Sequence, residues 1–293
     1  MSGSGAIRIE AASFSHEGGR SYNEDFLGDC EAVGALRLFV LADGAGGQGG
    51  GDVDARTAVA AAKEAFRQLP VFSADTIRRC IDQAGLAVVQ RQKEELRLAQ
   101  MASTMVLLLV SYQRGEALLG NLGDSRCYVF RGRQVAAQSL DHSVVQRFVD
   151  AGLYPANMLR AHPKRNVLYA SLGANQELTP PYFSVDPVPL QPGDGVLLCS
   201  DGVWELLQDV ELGELHASSA DVQDWRDRLV AAVRANMPAG HDNYSAFVLR
   251  CLPALSSDED TIPPGTRGAW TDTLEMRFED DQATIVGPSA ASG

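Results

Sequence analysis

The chain has little that would draw a polyanion to it: 25 Lys and Arg stand against 38 Asp and Glu, a formal net charge of −13. Nucleic acid selects lysine and arginine patches, so it is excluded as a partner class, whereas a divalent cation is favoured. Cysteines are few and scattered: Cys30, Cys80, Cys127, Cys199 and Cys251 form no C-x-x-C. An odd set of this kind reads as reduced thiols in a reducing compartment and excludes a disulfide scaffold. The first residues lack a basic segment followed by an apolar one, and apolar stretches such as Met105 to Val110 are far too short to span a bilayer. The expectation is a cytoplasmic protein with no membrane partner. The histidines are dispersed, without metal-ligand spacing.

What is present is an ordinary globular composition, 45% apolar and 22% charged, enough for a sizeable core. Strand signals come at Ile7 to Ile9, Ala12 to Ser15 and the apolar run Leu36 to Ala42. The glycine-rich stretch Gly44 to Gly51 follows. Asp52 then opens a helix whose stripe is Ala55, Val59, Ala62, Phe66 and Leu69, ended by Pro70. Ser73 is placed to cap a second helix carrying Ile77, Ile81, Ala84 and Val88. From Ser103 the period changes to two. Thr104 to Ser111, Ala117 to Leu122 and Arg126 to Phe130 read as an antiparallel meander with tight turns. Ser143 to Ala151, Val203 to Leu207 and Asp221 to Ala235 read as helices, and Val196 to Cys199 and Tyr244 to Arg250 as strands. Grouped helices with sequential strands predict an α+β fold. Residues 1–251 form the predicted domain. Residues 252–293 lose periodicity and hold two arginines against eight acidic residues, the composition of an acidic, disordered tail.

One pattern recurs along the domain. An apolar strand stops, and a carboxylate follows beside glycine or another small residue. It is seen at Ala42-Asp43-Gly44, Leu122-Gly123-Asp124 and Ser200-Asp201-Gly202, while Asp242-Asn243 precedes a strand and Asn23-Glu24-Asp25 adds a double carboxylate. Asp-Gly alone is a common turn dipeptide. Repeated at strand ends, it suits hard cations, which take oxygen ligands held rigidly. Carboxylates converging without a cation repel one another and cost stability.

These residues resemble the type 2C, metal-dependent serine/threonine phosphatases (the PPM family), in particular its compact bacterial members. The resemblance is carried by Arg20-Ser21-Tyr22-Asn23-Glu24-Asp25, Ala42 to Gly47, Gly123-Asp124-Ser125-Arg126 and Asp141-His142-Ser143. It continues with His162 to Asn166, Cys199 to Gly202 and Asp242-Asn243, in the family's order from about Ile7 to Arg250. It implies two packed antiparallel β-sheets flanked by pairs of helices, an α/β/β/α sandwich. The activity it implies is hydrolysis of phosphoserine and phosphothreonine in proteins by a metal-activated water, opposing a bacterial Ser/Thr kinase. Two or three Mn²⁺ or Mg²⁺ ions are implied. Asp43 would bridge two of them, with the Gly44 carbonyl on one and Asp201 and Asp242 on the other. Glu24 and Asp25 would hold metal-bound waters, and Asp124 with Asp201 a third ion. Arg20 would grip the substrate phosphate. One departure concerns the acid for the leaving group: relatives often carry histidine just after the Asp-Gly, and here those positions hold Ala45 and Gln48.

Three other motifs compete. Gly44 to Gly49 matches G-x-G-x-x-G after a strand and before a helix. Against a dinucleotide site stand Asp43, which would repel a pyrophosphate, and Pro70, after which a second helix replaces the parallel strand such a site needs. Cys127 and Arg133 have the C-x5-R spacing of cysteine phosphatases, but Tyr128 to Phe130 between them read as strand. Ser125 lacks the elbow of a serine hydrolase. In the tail, Thr261 and Thr284 each follow acidic residues and precede an apolar one. They are candidate sites for the opposing kinase, which would offer the tail to a phosphothreonine-binding domain.

Overall fold

The computed structural model describes residues 5–28, 31–45, 50–174, 181–184 and 186–254. In chain order, the first half runs β1 (Ile7–His16), β2 (Asp25–Leu27), β3 (Glu31–Val33), β4 (Leu36–Ala45), α1 (Gly51–Gln68) and α2 (Ala74–Glu94). A single 3₁₀ turn, Leu96–Leu98, leads into β5 (Ala102–Ser103), β6 (Met105–Ser111), β7 (Glu116–Leu122), β8 (Arg126–Arg131) and β9 (Gln134–Gln138). Then come α3 (Val144–Asp150), α4 (Met158–Ala161), β10 (Tyr182–Phe183), β11 (Val188–Pro189) and β12 (Gly195–Cys199). The domain closes with α5 (Asp201–Trp204), α6 (Asp209–Ser218), α7 (Val222–Asn236) and β13 (Tyr244–Pro253).

Two sheets result, and every strand pairing in them is antiparallel. One has the order β1-β13-β12-β8-β9, the other β10-β7-β6-β4-β2, with β11 beside β7 and with β3 and β5 beside β4. The layers follow from strand alternation. On β4, Phe39 and Leu41 meet Val129, Leu198 and Phe247 of the opposite sheet, while Leu38 and Val40 turn outward onto Ala58, Val59, Ile77 and Ile81 of α1 and α2. On the other sheet, Tyr128, Leu197 and Val248 turn outward onto Trp225 and Leu229 of α7. Strands covered on both faces read as continuous apolar runs, which is how Leu36 to Ala42 and Thr104 to Ser111 stood out. The predicted α/β/β/α sandwich is the observed one.

Local chemistry sets most element ends. Ser73 accepts the Thr76 N–H and opens α2, Ser143 accepts the Gln146 N–H and opens α3, and Asp221 accepts two amides at the start of α7. The helix expected over Val203 to Leu207 is instead a single turn, Asp201–Trp204, that begins at the aspartate itself and ends three residues short of Leu207. Strand β1 is continuous where two short segments were expected, because its whole length pairs with β13, Ile7 opposite Pro253 and His16 opposite Tyr244. That pairing carries β13 two residues past the boundary drawn from composition. The remaining tail, with Thr261 and Thr284, lies outside the described residues.

Candidate metal centre

The register places the sequence-predicted residues at one end of the sandwich. Asp25 and Asp43 face each other across β2 and β4. Leu27 and Leu41, two residues along each strand, lie in the core between the sheets, so both carboxylates point into the mouth of that core. Like charges directly opposite destabilise a strand pair, which makes this pairing costly unless something else stabilises it. In the other sheet, Cys199 at the end of β12 stands between Arg126, the start of β8, and Ala246 near the start of β13. Asp201, Asp124 and Asp242 therefore emerge together at the same end. The turn through Gly123 carries the chain from β7 to β8, from one sheet to the other, with Gly123 at φ +107° where a Cβ would run into Thr104.

Backbone and side-chain bonds hold this mouth in place. The Asp43 carbonyl accepts the Thr104 N–H at 2.8 Å and the Ser103 hydroxyl at 3.0 Å. Gly44 lies so close to the first turn of α1 that a Cβ there would run into the Gly51 carbonyl. The Glu24 carboxylate accepts the Gly51 N–H at 3.2 Å, at the positive end of that helix. Asn243 ties the N-terminal loop down: its Oδ1 accepts the Glu24 N–H at 2.8 Å, and its Nδ2 donates to the carbonyls of Glu17 (2.8 Å) and Tyr22 (3.1 Å). The Ser200 hydroxyl donates to Asp25 Oδ2 at 2.8 Å. Arg20 donates to Asp242 Oδ2 at 2.8 Å in a half-exposed ion pair. Neither Ser200 nor Asn243 carries a sequence signal for these bonds beyond its place beside an aspartate.

The electrostatics are those of acids crowded without compensation. Burial pushes Asp43 well above the ordinary carboxylate range, and Asp25, Asp201, Asp124 and Asp242 push it further. Asp201 is raised likewise by burial, then by Asp124, Glu205, Asp242 and Asp25. Asp25 is pushed up to about 6 by burial against the pull of its serine hydrogen bonds, and Asp124 to about 7, by burial and by Asp141. Among the described residues no three acidic, histidine or cysteine side chains meet at one ligand point. The carboxylates line a shared mouth, and Asp242 is turned to Arg20. Asp25 Oδ1 is buried with no hydrogen-bond partner, which costs free energy that a cation would offset. All-oxygen donors, a buried orphan oxygen and mutual repulsion fit a hard divalent cation.

The competing motifs do not survive. Cys127 is fully buried on β8 and burial holds its thiol well above its usual range, so it is no thiolate nucleophile. After α1 the chain enters α2, and the neighbours of β4 are all antiparallel, which removes the βαβ unit of a dinucleotide site. His142 is buried, and its backbone N–H donates to the Gly123 carbonyl at 2.8 Å. Gln48 lies outside the described residues.

Comparison with known proteins decides the family. Residues 14–239 match the model described as protein phosphatase 2C. The chain belongs to the protein phosphatase 2C family. It is 28% identical over 235 residues to the serine/threonine phosphatase stp of Listeria monocytogenes, covering 78% of this chain and 90% of that protein. Protein phosphatase PhpP of Streptococcus pneumoniae is 26% identical, with 78% and 92% covered. Among solved structures, Stp1 of Staphylococcus aureus superposes with a TM-score of 0.75 at 26% identity, over 85% of this chain and 97% of that one. PstP/Ppp of Mycobacterium tuberculosis superposes at 0.70 with 27% identity, over 85% and 100%. The catalytic domain of PstP has been solved in complex with two manganese ions. The chain is accordingly a metal-dependent protein phosphatase of the serine/threonine class.

Proposed function

We propose that the mouth between the sheets holds two or three divalent cations, Mn²⁺ or Mg²⁺, and hydrolyses phosphoserine and phosphothreonine in proteins phosphorylated by an opposing kinase. The observation that carries this reading is the gathering of Asp25, Asp43, Asp124 and Asp201 at one end of the two sheets, each raised by burial and by neighbouring acids. Asp43, the Gly44 carbonyl, Asp201 and Asp242 would hold the principal ions, Asp124 with Asp201 a further one, and Glu24 and Asp25 the water around them. When bound, such ions acidify water to a pKa of about 7 and neutralise charge on a transferring phosphoryl group.

The chain's own residues do the rest. Arg20 sits on the rim beside Asp242, and its planar guanidinium suits two oxygens of a phosphate. The pair is half exposed, so exchanging the carboxylate for a phosphate costs little. Ser200 orients Asp25 through Oδ2, and Oδ1 is left buried without a hydrogen-bond partner. The assay is hydrolysis of p-nitrophenyl phosphate and of a phosphothreonine peptide. Both activities are expected to vanish in excess EDTA and to return with Mn²⁺ or Mg²⁺; full turnover in excess chelator would overturn the reading.

A further inference from the structure

The tryptophans of the described residues make a natural pair. Trp204 and Trp225 are both buried in the core outside the β1-containing sheet. Trp225 Nε1 has no hydrogen-bond partner, and its ring stands edge-on to Phe130 and His216. Trp204 differs in what its N–H does. Its Nε1 donates to the Asp124 carbonyl at 2.9 Å. Trp204 also ends the single helical turn that begins at Asp201. One side chain thus links the backbone of two of the predicted metal carboxylates, Asp201 through a turn of helix and Asp124 through an indole hydrogen bond.

The indole is itself clamped. The Arg126 guanidinium lies over the Trp204 ring at 3.5 Å from its centroid. Arg126 is held flat by Asp141, Nε to Oδ1 at 2.8 Å and Nη2 to Oδ2 at 2.7 Å, and by Nη1 to the Tyr128 hydroxyl at 2.9 Å. From the segment before β10, Arg160 Nε donates to the Trp204 carbonyl at 2.9 Å. The turn that Trp204 holds is braced on its other atoms too: the Gly123 carbonyl accepts the His142 N–H at 2.8 Å, and the Ser125 and Thr104 hydroxyls share a hydrogen bond of 2.6 Å. The remaining carbonyl of the turn, that of Asp124, depends on the indole.

The geometry points to Trp204 as a positioning residue that sets the separation of Asp124 and Asp201, and through it the affinity for the cation these two share. The inference rests on the reading that this pair binds a cation. A partner one shell behind a metal ligand typically changes affinity about 10–100-fold. Asp141, a buried acid beside Asp124, is ion-paired with Arg126, and the pair holds the indole in place.

The test is Mn²⁺ titration of the full chain by isothermal calorimetry, alongside the Mn²⁺ dependence of ester hydrolysis, for Trp204→Phe and Trp225→Phe. Trp204→Phe keeps an aromatic ring under Arg126 and removes the N–H. Its weakest Mn²⁺ site should lose about 10–100-fold in affinity, with kcat recovering at high Mn²⁺. Trp225→Phe should bind Mn²⁺ as the wild type does. Unchanged Mn²⁺ affinity in Trp204→Phe, or an equal loss in Trp225→Phe, overturns the proposal. If Trp204→Phe does not fold, benzothienylalanine at position 204 puts sulfur in place of the N–H at nearly constant volume, and the same two outcomes decide. Wild-type protein that takes up no Mn²⁺ at all overturns the underlying metal reading, a result distinct from either.

Discussion

Strands β8 and β12 lie side by side, and at each end an arginine of one stands near an aspartate that flanks the other. At the far end Arg131 grips Asp194, Nε to Oδ1 at 3.0 Å and Nη2 to Oδ2 at 2.7 Å, and the Gln191 N–H adds a bond to Oδ2 at 2.8 Å. Both oxygens of that carboxylate are thereby hydrogen-bonded. At the near end the arginine is Arg126, and it is spent on Asp141, leaving Asp201 among Asp124, Glu205, Asp242 and Asp25. Glu205 in turn is taken by Arg165. The comparison shows what separates a structural aspartate from a functional one here. Both ends have arginines within reach, but at the metal end Arg126 and Arg165 are committed to Asp141 and Glu205 and Arg20 to Asp242 on the rim, so Asp25, Asp43, Asp124 and Asp201 have no ion pair among the described residues and are left for an added cation to match.

The sharpest way to break this contrast is the same substitution at both ends. Asp201→Asn should lower kcat/KM by on the order of 10²–10³-fold or more, since a group that fixes transition-state charge is lost. In EDTA the same variant should melt at a higher temperature than wild type, because one of several crowded acids whose ionisation is costly there is gone. Retained activity, or a lower melting temperature in chelator, would contradict the contrast. Asp194→Asn should behave oppositely. Turnover should be unchanged, while denaturant titration should show a loss of about 1–3 kcal/mol for the charge-assisted bonds it breaks.

A smaller effect sharpens the comparison from a carboxylate outside the proposed ligand set. Asp54, in the first turn of α1, is fully buried with neither carboxylate oxygen hydrogen-bonded. Burial pushes it up to about 6 from 3.8, against a weak pull from Arg91. The folded state therefore binds more proton than the unfolded state between these values. The stability this group confers is full below about 4 and is lost as pH rises through about 6. Asp54→Ala should accordingly stabilise the chelated protein by about 1–2 kcal/mol at pH 8 and by less at pH 5. Equal effects at the two pH values would mean that Asp54 finds a partner in solution.

Much of this arrangement was legible before any fold was known. The buried runs of β4, β6 and β12, the cap Ser73, the helix starts at Ser143 and Asp221, and the aspartates beside strand ends are local patterns, visible within a few residues. The short strands β2, β3, β10 and β11 were not, because two or three residues cannot display a period. Helix α6 escaped for another reason: Val210, exposed, and Leu212, buried, fall two apart, so its apolar residues form no stripe. Its start is set by a reciprocal capping box between Gln208 and Glu211. Strand β9 is short and half-exposed at a sheet edge, and a register irregularity against β8 blurs its alternation.

Local sequence was enough to set carboxylates at the ends of apolar strands and to put Cys127 on a strand, while the role of Arg20 came only from a family resemblance. Only the tertiary structure decided that Asp25 stands opposite Asp43, that Ser200 orients Asp25, that Arg20 rests on Asp242, and that the Trp204 indole reaches the Asp124 carbonyl. The reason lies in range. Strand and helix signals arise from bonds between residues close in the chain. The coupling of these acids depends on distance and burial between residues as far apart as Asp25 and Ser200, and neither quantity exists until the two sheets have packed.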